Sequence, residues 1–182
     1  MEKENRKGLS QVVNPCLSRR AFLIGSSAAA ATTVFLSIPG MTGKAAAQMT
    51  TYPKKKIGRL SRLKVDTPIP FSYPDSGANS LNLMIKLGEA AGGGIGPKQD
   101  VVAFSILCTH MGGPVASYLK IDKVLGPCPF HQTTFDLTKH GMVISGHATE
   151  SLPQVMLELK GDDIYAVGMI GLIYGRYDNF KS

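Results

Sequence analysis

From Val65 onward, apolar and polar positions change places in short runs. Leu81, Leu83, Ile85 and Leu87 interleave with Asn82, Met84 and Lys86, the two-residue period of a strand with one buried face. A glycine-rich loop at 91–97 follows, and the apolar, β-branched run from Asp100 to Leu107 then ends directly at Cys108. Later, Val155, Leu157 and Leu159 alternate with Met156 and Glu158. The turn residues Gly161-Asp162-Asp163 then lead into Ile164–Gly168, which predicts a hairpin. Short strands between Gly, Pro and Asp loops, without a long amphipathic helix, predict an all-β fold, an antiparallel sandwich or barrel. The basic lead-in at 48–64 reads as a surface arm, either solvated or docked on an acidic partner.

Composition changes this picture mainly at the N-terminus. The 182 residues suffice for one domain plus an extension, and a hydrophobic fraction of 43% allows a real core. The net charge of +7 is unevenly placed: residues 1–47 hold six Lys/Arg against two Glu, and residues 48–182 hold fourteen basic against eleven acidic groups. No Arg/Lys stripe interleaved with aromatics follows, so no nucleic-acid partner is expected. A charged start, the apolar run 21–40 and Ala45-Ala46-Ala47 before Gln48 together read as an export signal. Ser18-Arg19-Arg20-Ala21-Phe22-Leu23 fits the twin-arginine pattern, which predicts a periplasmic protein folded around its cofactor before export. Residues 1–47 are thus the expected signal and 48–182 the exported body. The apolar run is also long enough to stay as an uncleaved membrane anchor. Cys16 precedes the arginines and receives no role.

Residues 128–136 read CPFHQTTFD, and one thiol with one imidazole completes no coordination sphere. The second half lies upstream, at Cys108-Thr109-His110. The full pattern is C-x-H, seventeen intervening residues, then C-x-x-H at Cys128 and His131. Cys₂His₂ suits tetrahedral zinc, although zinc fingers place two cysteines on one limb and two histidines on the other. A Cys–His nucleophile would leave the second pair unexplained. One cysteine and one histidine on each limb instead suit a [2Fe–2S] cluster with Cys108 and Cys128 on one iron and His110 and His131 on the other. His140 and His147 lack partners at ligand spacing and read as surface residues.

At this point the sequence resembles the Rieske family. The resemblance implies a potential of roughly −150 to +300 mV, because neutral imidazoles replace two thiolates. It also implies that His110 and His131 lie near the surface as the electron gate. Quinol-oxidising members carry two further cysteines that brace the loops; Gly113 and Phe130 stand at those places here, so no brace forms. They also carry a serine and a tyrosine whose hydroxyls reach the cluster sulfurs and raise the potential. Thr133 and Phe135 occupy those places.

Together with the twin-arginine signal, CTHMGG, CPFHQTTFD and GMVISGHATESLPQVMLEL are similar to the small subunit of arsenite oxidase. That family implies an antiparallel β-sandwich or barrel base with an inserted cluster-binding subdomain at about 106–147. The loop 145–153 is implied to cover the cluster, with His147 where the family has a proline. The family further implies a heterodimer. Its large molybdopterin subunit, with a [3Fe–4S] cluster, oxidises arsenite to arsenate, and this chain passes electrons to a cytochrome c or azurin. No catalytic residue is then expected on this chain. The alternative is a Rieske subunit of a quinol–cytochrome c reductase, against which Gly113, Phe130 and Phe135 stand.

Overall fold

The computed structural model describes residues 51–180, so the expected signal at 1–47 lies outside the described residues. Strands run in the order β1 (Lys55–Arg59), β2 (Ile69–Ser72), β3 (Leu81–Lys86), β4 (Val101–Ser105) and β5 (Tyr118–Leu119). They continue with β6 (Val124–Leu125), β7 (Thr134–Asp136), β8 (Met142–Ser145), β9 (Gln154–Lys160) and β10 (Asp163–Ile170). A single 3₁₀ turn, Leu60–Arg62, is the helical piece among the described residues, none of which form a helix long and apolar enough to cross a membrane.

Two antiparallel sheets result, as the all-β expectation requires. The larger has the order β1-β10-β9-β4-β3-β2 and the smaller β5-β6-β7-β8. The larger sheet curls until its edges meet. Lys55 Nζ on β1 donates to the Ser72 carbonyl on β2 at 2.8 Å. Its concave side holds one core of Tyr73, Met84, Val101, Ala103, Val155, Ile164, Ala166, Met169 and Ile173. This is a nearly closed barrel. The expected hairpin is β9–β10, closed by a two-residue loop in which Gly161 takes φ +61.

The lead-in is not a free arm. Residues 55–59 pair with β10, and Lys54 and Lys56 bond to Glu158 and Asp163 at 2.6 Å each. Tyr52, Ile57, Leu60 and Leu63 pack on the barrel core, so the apolar positions between the lysines, not the charges, decide where this segment goes.

β3 departs from expectation in another way: Asn82, Leu83, Met84 and Ile85 are all buried. The strand lies between two cores. Met84 faces the barrel interior. Leu83, Ile85 and Leu87 join Val102, Phe104, Val115, Leu125, Phe135, Leu137 and Leu152 in a second core under the small sheet. Asn82 is tolerated because its amide donates to the Tyr73 and Ser80 carbonyls at 3.0 and 2.6 Å. The chain leaves the large sheet at Ser105 and rejoins it at Gln154, and the small sheet occupies the segment between.

Candidate metal centre

Two loops of the inserted segment share one backbone frame. In the first, the Cys108 N–H donates to the Gly113 carbonyl, and the Gly112 N–H returns to the Cys108 carbonyl, both at 2.8 Å. In the second, Cys128 N–H donates to Thr133 at 2.8 Å and Gln132 N–H to Cys128 at 2.9 Å. Each loop turns through a left-handed residue at the fourth place after its cysteine, Gly112 with φ +70 and Gln132 with φ +60. Such closed loops hold each sulfur at a fixed place under a tight turn.

The loops bring the four predicted donors together. The Cys108 and Cys128 side chains lie close enough for Cys128 to act on the ionisation of the Cys108 thiol, and both residues are free thiols, 1% and 2% exposed. The His110 and His131 rings sit 4.6 Å apart, edge to face, with His131 exposed and His110 half-buried. His110 Nδ1 is buried without a hydrogen-bond partner. An orphaned ring nitrogen beside two buried thiols is costly for the protein alone and fits a bound cluster. Burial pushes the Cys108 thiol up, an effect opposed by the His110 backbone N–H and the Thr133 hydroxyl. Desolvation, then the neighbouring His131 and His147 rings, lowers the pKa of His110 and favours the neutral imidazole that ligation needs.

The surroundings hold the loops in register. Thr133 is fully buried, and its hydroxyl oxygen accepts from the His147 and Ala148 N–H groups at 3.1 and 3.4 Å while reaching the Cys108 sulfur. Thr133 thereby joins both loops to the 145–153 loop. At Gly146 a Cβ would lie 2.3 Å from the Thr133 Cα, so only glycine lets the two backbones approach this closely. Gly113 meets Phe130 at the expected brace place, where a Cβ would come within 2.9 Å of the phenyl ring and 2.7 Å of the Cys128 sulfur. An apolar contact thus stands where a disulfide would cross. Phe135 is fully buried in the second core and carries no hydroxyl to offer.

One neighbour was missed by reasoning on ligand spacing. His147 is exposed, yet its ring lies 5.8 Å from both His110 and His131. Its position in the loop expected to cover the cluster was the available signal. His140, by contrast, bonds through Nδ1 to Gln154 Oε1 at 2.8 Å, a structural link beside the second core.

Residues 85–156 match the family model of the Rieske [2Fe–2S] domain. The chain is 57% identical to iodate reductase subunit IdrB of Denitromonas iodatirespirans, covering 90% of this chain and 87% of that protein. It is 52% identical to iodate reductase subunit IdrB of Pseudomonas sp. strain SCT, covering 88% and 83%. Among solved structures, the soluble domain of Rieske protein II from Sulfolobus acidocaldarius aligns with a TM-score of 0.58 over 70% of this chain and 83% of that one. Its 23% identity makes that likeness one of fold. The matched family segment contains both loops and the loop that covers them, and the full-length relatives extend the match across the barrel. The chain belongs to the Rieske [2Fe–2S] family, with one cluster of that type as its cofactor.

Proposed function

We propose that Cys108 and Cys128 hold one iron and His110 and His131 the other, and that the chain is the electron-transfer subunit of an exported oxyanion oxidoreductase. The observation that carries the ligand assignment is the pairing of sulfur with sulfur and ring with ring across two loops of the same frame. The bound cluster supplies a one-electron carrier of raised potential. The chain's own residues do the rest. Burial of both cysteines keeps water from the sulfurs, and the Thr133 hydroxyl withdraws charge from Cys108. The exposed ring of His131 gives a short path to a partner. Met111 and Phe130, 54% and 58% exposed, flank the histidines with the apolar surface that a redox partner would cover.

The catalytic partner in this reading is a large molybdopterin subunit with a [3Fe–4S] cluster, and the soluble redox partner is a periplasmic cytochrome c or azurin. Two relatives matched along nearly nine-tenths of the chain are named as iodate reductase subunits, which favours electrons flowing inward to reduce iodate. The motif resemblance to arsenite oxidase supports the reverse flow, from arsenite outward. In both, this chain relays single electrons and binds no oxyanion, since its two body cysteines are engaged by iron. The native complex distinguishes them: iodate-dependent oxidation of a reduced viologen supports the first, and arsenite-dependent reduction of a dye the second. A preparation of the loaded chain with no large partner would contradict both.

Export belongs to the same proposal, with Arg19 and Arg20 in a twin-arginine signal. Replacing both with lysine is expected to leave this chain and its large partner in the cytoplasm. Fractionation that finds the large partner still in the periplasm would contradict joint export.

A further inference from the structure

Gly112 and Gln132 occupy equivalent places in the two loops, with the same left-handed backbone and the same return bond to cysteine. A side chain is therefore compatible with that turn, as exposed Gln132 demonstrates. Gly112 is required for another reason. A Cβ there would lie 2.5 Å from Cδ1 and Cε1 of Tyr174, so the tyrosine ring rests on the glycine backbone.

Tyr174 belongs to the segment 171–180, which follows β10 and is tied down on both sides. Ile173 is buried in the barrel core, and its N–H donates to Asn179 Oδ1 at 3.0 Å. The Tyr174 carbonyl accepts from Asn79 Nδ2 at 3.0 Å. Arg176, with a side chain only 2% exposed, grips Asp75 through both terminal nitrogens at 2.8 and 3.1 Å and donates to Ser80 Oγ at 2.7 Å. Asn179 reaches back to the Gly171 carbonyl at 2.8 Å and to Tyr52 at 3.1 Å.

We infer that this segment is a strap whose Tyr174 ring clamps the first cluster loop from outside, stiffening the turn that carries His110. It does so in a chain where Gly113 and Phe130 leave the loops without a covalent brace. Tyr174 is a positioning residue. It acts on His110 through the Gly112 backbone, whereas Gln132, at the equivalent place of the second loop, is exposed. The inference rests on the cluster and is independent of the partner or substrate proposed above.

The test is a double-mutant cycle on the cluster-loaded chain, reading the decay of visible absorbance with excess bathophenanthroline as iron trap. Tyr174→Ala and Gly112→Ala are each expected to speed cluster loss roughly tenfold, and the double variant to be no faster than Tyr174→Ala alone, because contacting residues couple. Both single variants should also change the g-values of the reduced cluster and its midpoint potential. Tyr174→Phe should match the unsubstituted chain, since the ring face makes the contact. Tyr177→Ala, on the same strap but fully exposed, should match it too. Independent effects that multiply in the double variant would overturn the inference, as would an unchanged rate in Tyr174→Ala. A fall in melting temperature of the barrel large enough to account for the rate would also overturn it.

Discussion

The two cluster loops are the same backbone device set in different surroundings. Each closes a cysteine under two hydrogen bonds and turns at a left-handed fourth residue. They differ in where the imidazole hangs, two places after Cys108 but three after Cys128, and in what presses on them. The first is pinned outside by Tyr174 and held at its side by Thr109, whose hydroxyl donates to the Glu150 carbonyl at 2.8 Å. The second is pinned inside, by Thr133 and the close approach of Gly146, and is open to solvent at His131 and Gln132. The shared frame brings the four side chains together; the unequal supports leave one loop covered from outside and the other exposed.

Four substitutions probe that difference, in decreasing order of consequence. Thr133→Val removes the one hydroxyl that serves both loops and strips two N–H groups of their acceptor. It should cost about 1–3 kcal/mol in urea unfolding and lower the potential, because charge is no longer drawn from Cys108. Phe135→Tyr, at the family's tyrosine place, should raise the potential by an amount on the order of tens of millivolts, the direction of added hydrogen bonding to cluster sulfur. Voltammetry showing no rise would mean that the new hydroxyl finds no sulfur.

Asp75→Asn loosens the anchor of the strap behind the first loop only. The Arg176 guanidinium beside Asp75, helped by Ser80 and the Gly77 N–H, holds its carboxyl well below the ordinary 3.8. A depressed folded value adds stability above the ordinary carboxylate range, and that stability is lost as pH falls through the folded value. The variant should therefore melt lower than the unsubstituted chain at neutral pH, with the gap closing below pH about 4. Smallest of all, Gln132→Ala keeps a side chain on the open turn and should shift stability by less than about 0.5 kcal/mol. A large loss there would break the claim that the second loop is unsupported from outside.

That Cys108, His110, Cys128 and His131 gather at one place was legible because a metal centre demands particular atoms, and C-x-H with C-x-x-H leaves few arrangements open. The strands β3, β4, β9 and β10 were legible because alternation survives wherever one face meets a core. What the pattern hid depends on contacts remote in sequence. β3 reads as half-buried, yet the inserted segment covers its second face. The basic lead-in looks solvated because its six lysines and arginines outnumber the four apolar positions that seat it on the barrel edge. His147 and Tyr174 act on residues at least sixteen and sixty-two places away, His131 and Gly112, distances that no local motif encodes.

In the proposed centre ligation is unequal: sulfur from Cys108 and Cys128 on one side of the cluster, nitrogen from His110 and His131 on the other. Pulsed EPR on the reduced chain grown with ¹⁵N-labelled histidine tests it directly. The account predicts two strongly coupled histidine nitrogens, one lost in each of His110→Cys and His131→Cys. A spectrum without strongly coupled histidine nitrogen, as four sulfur donors would give, would contradict it.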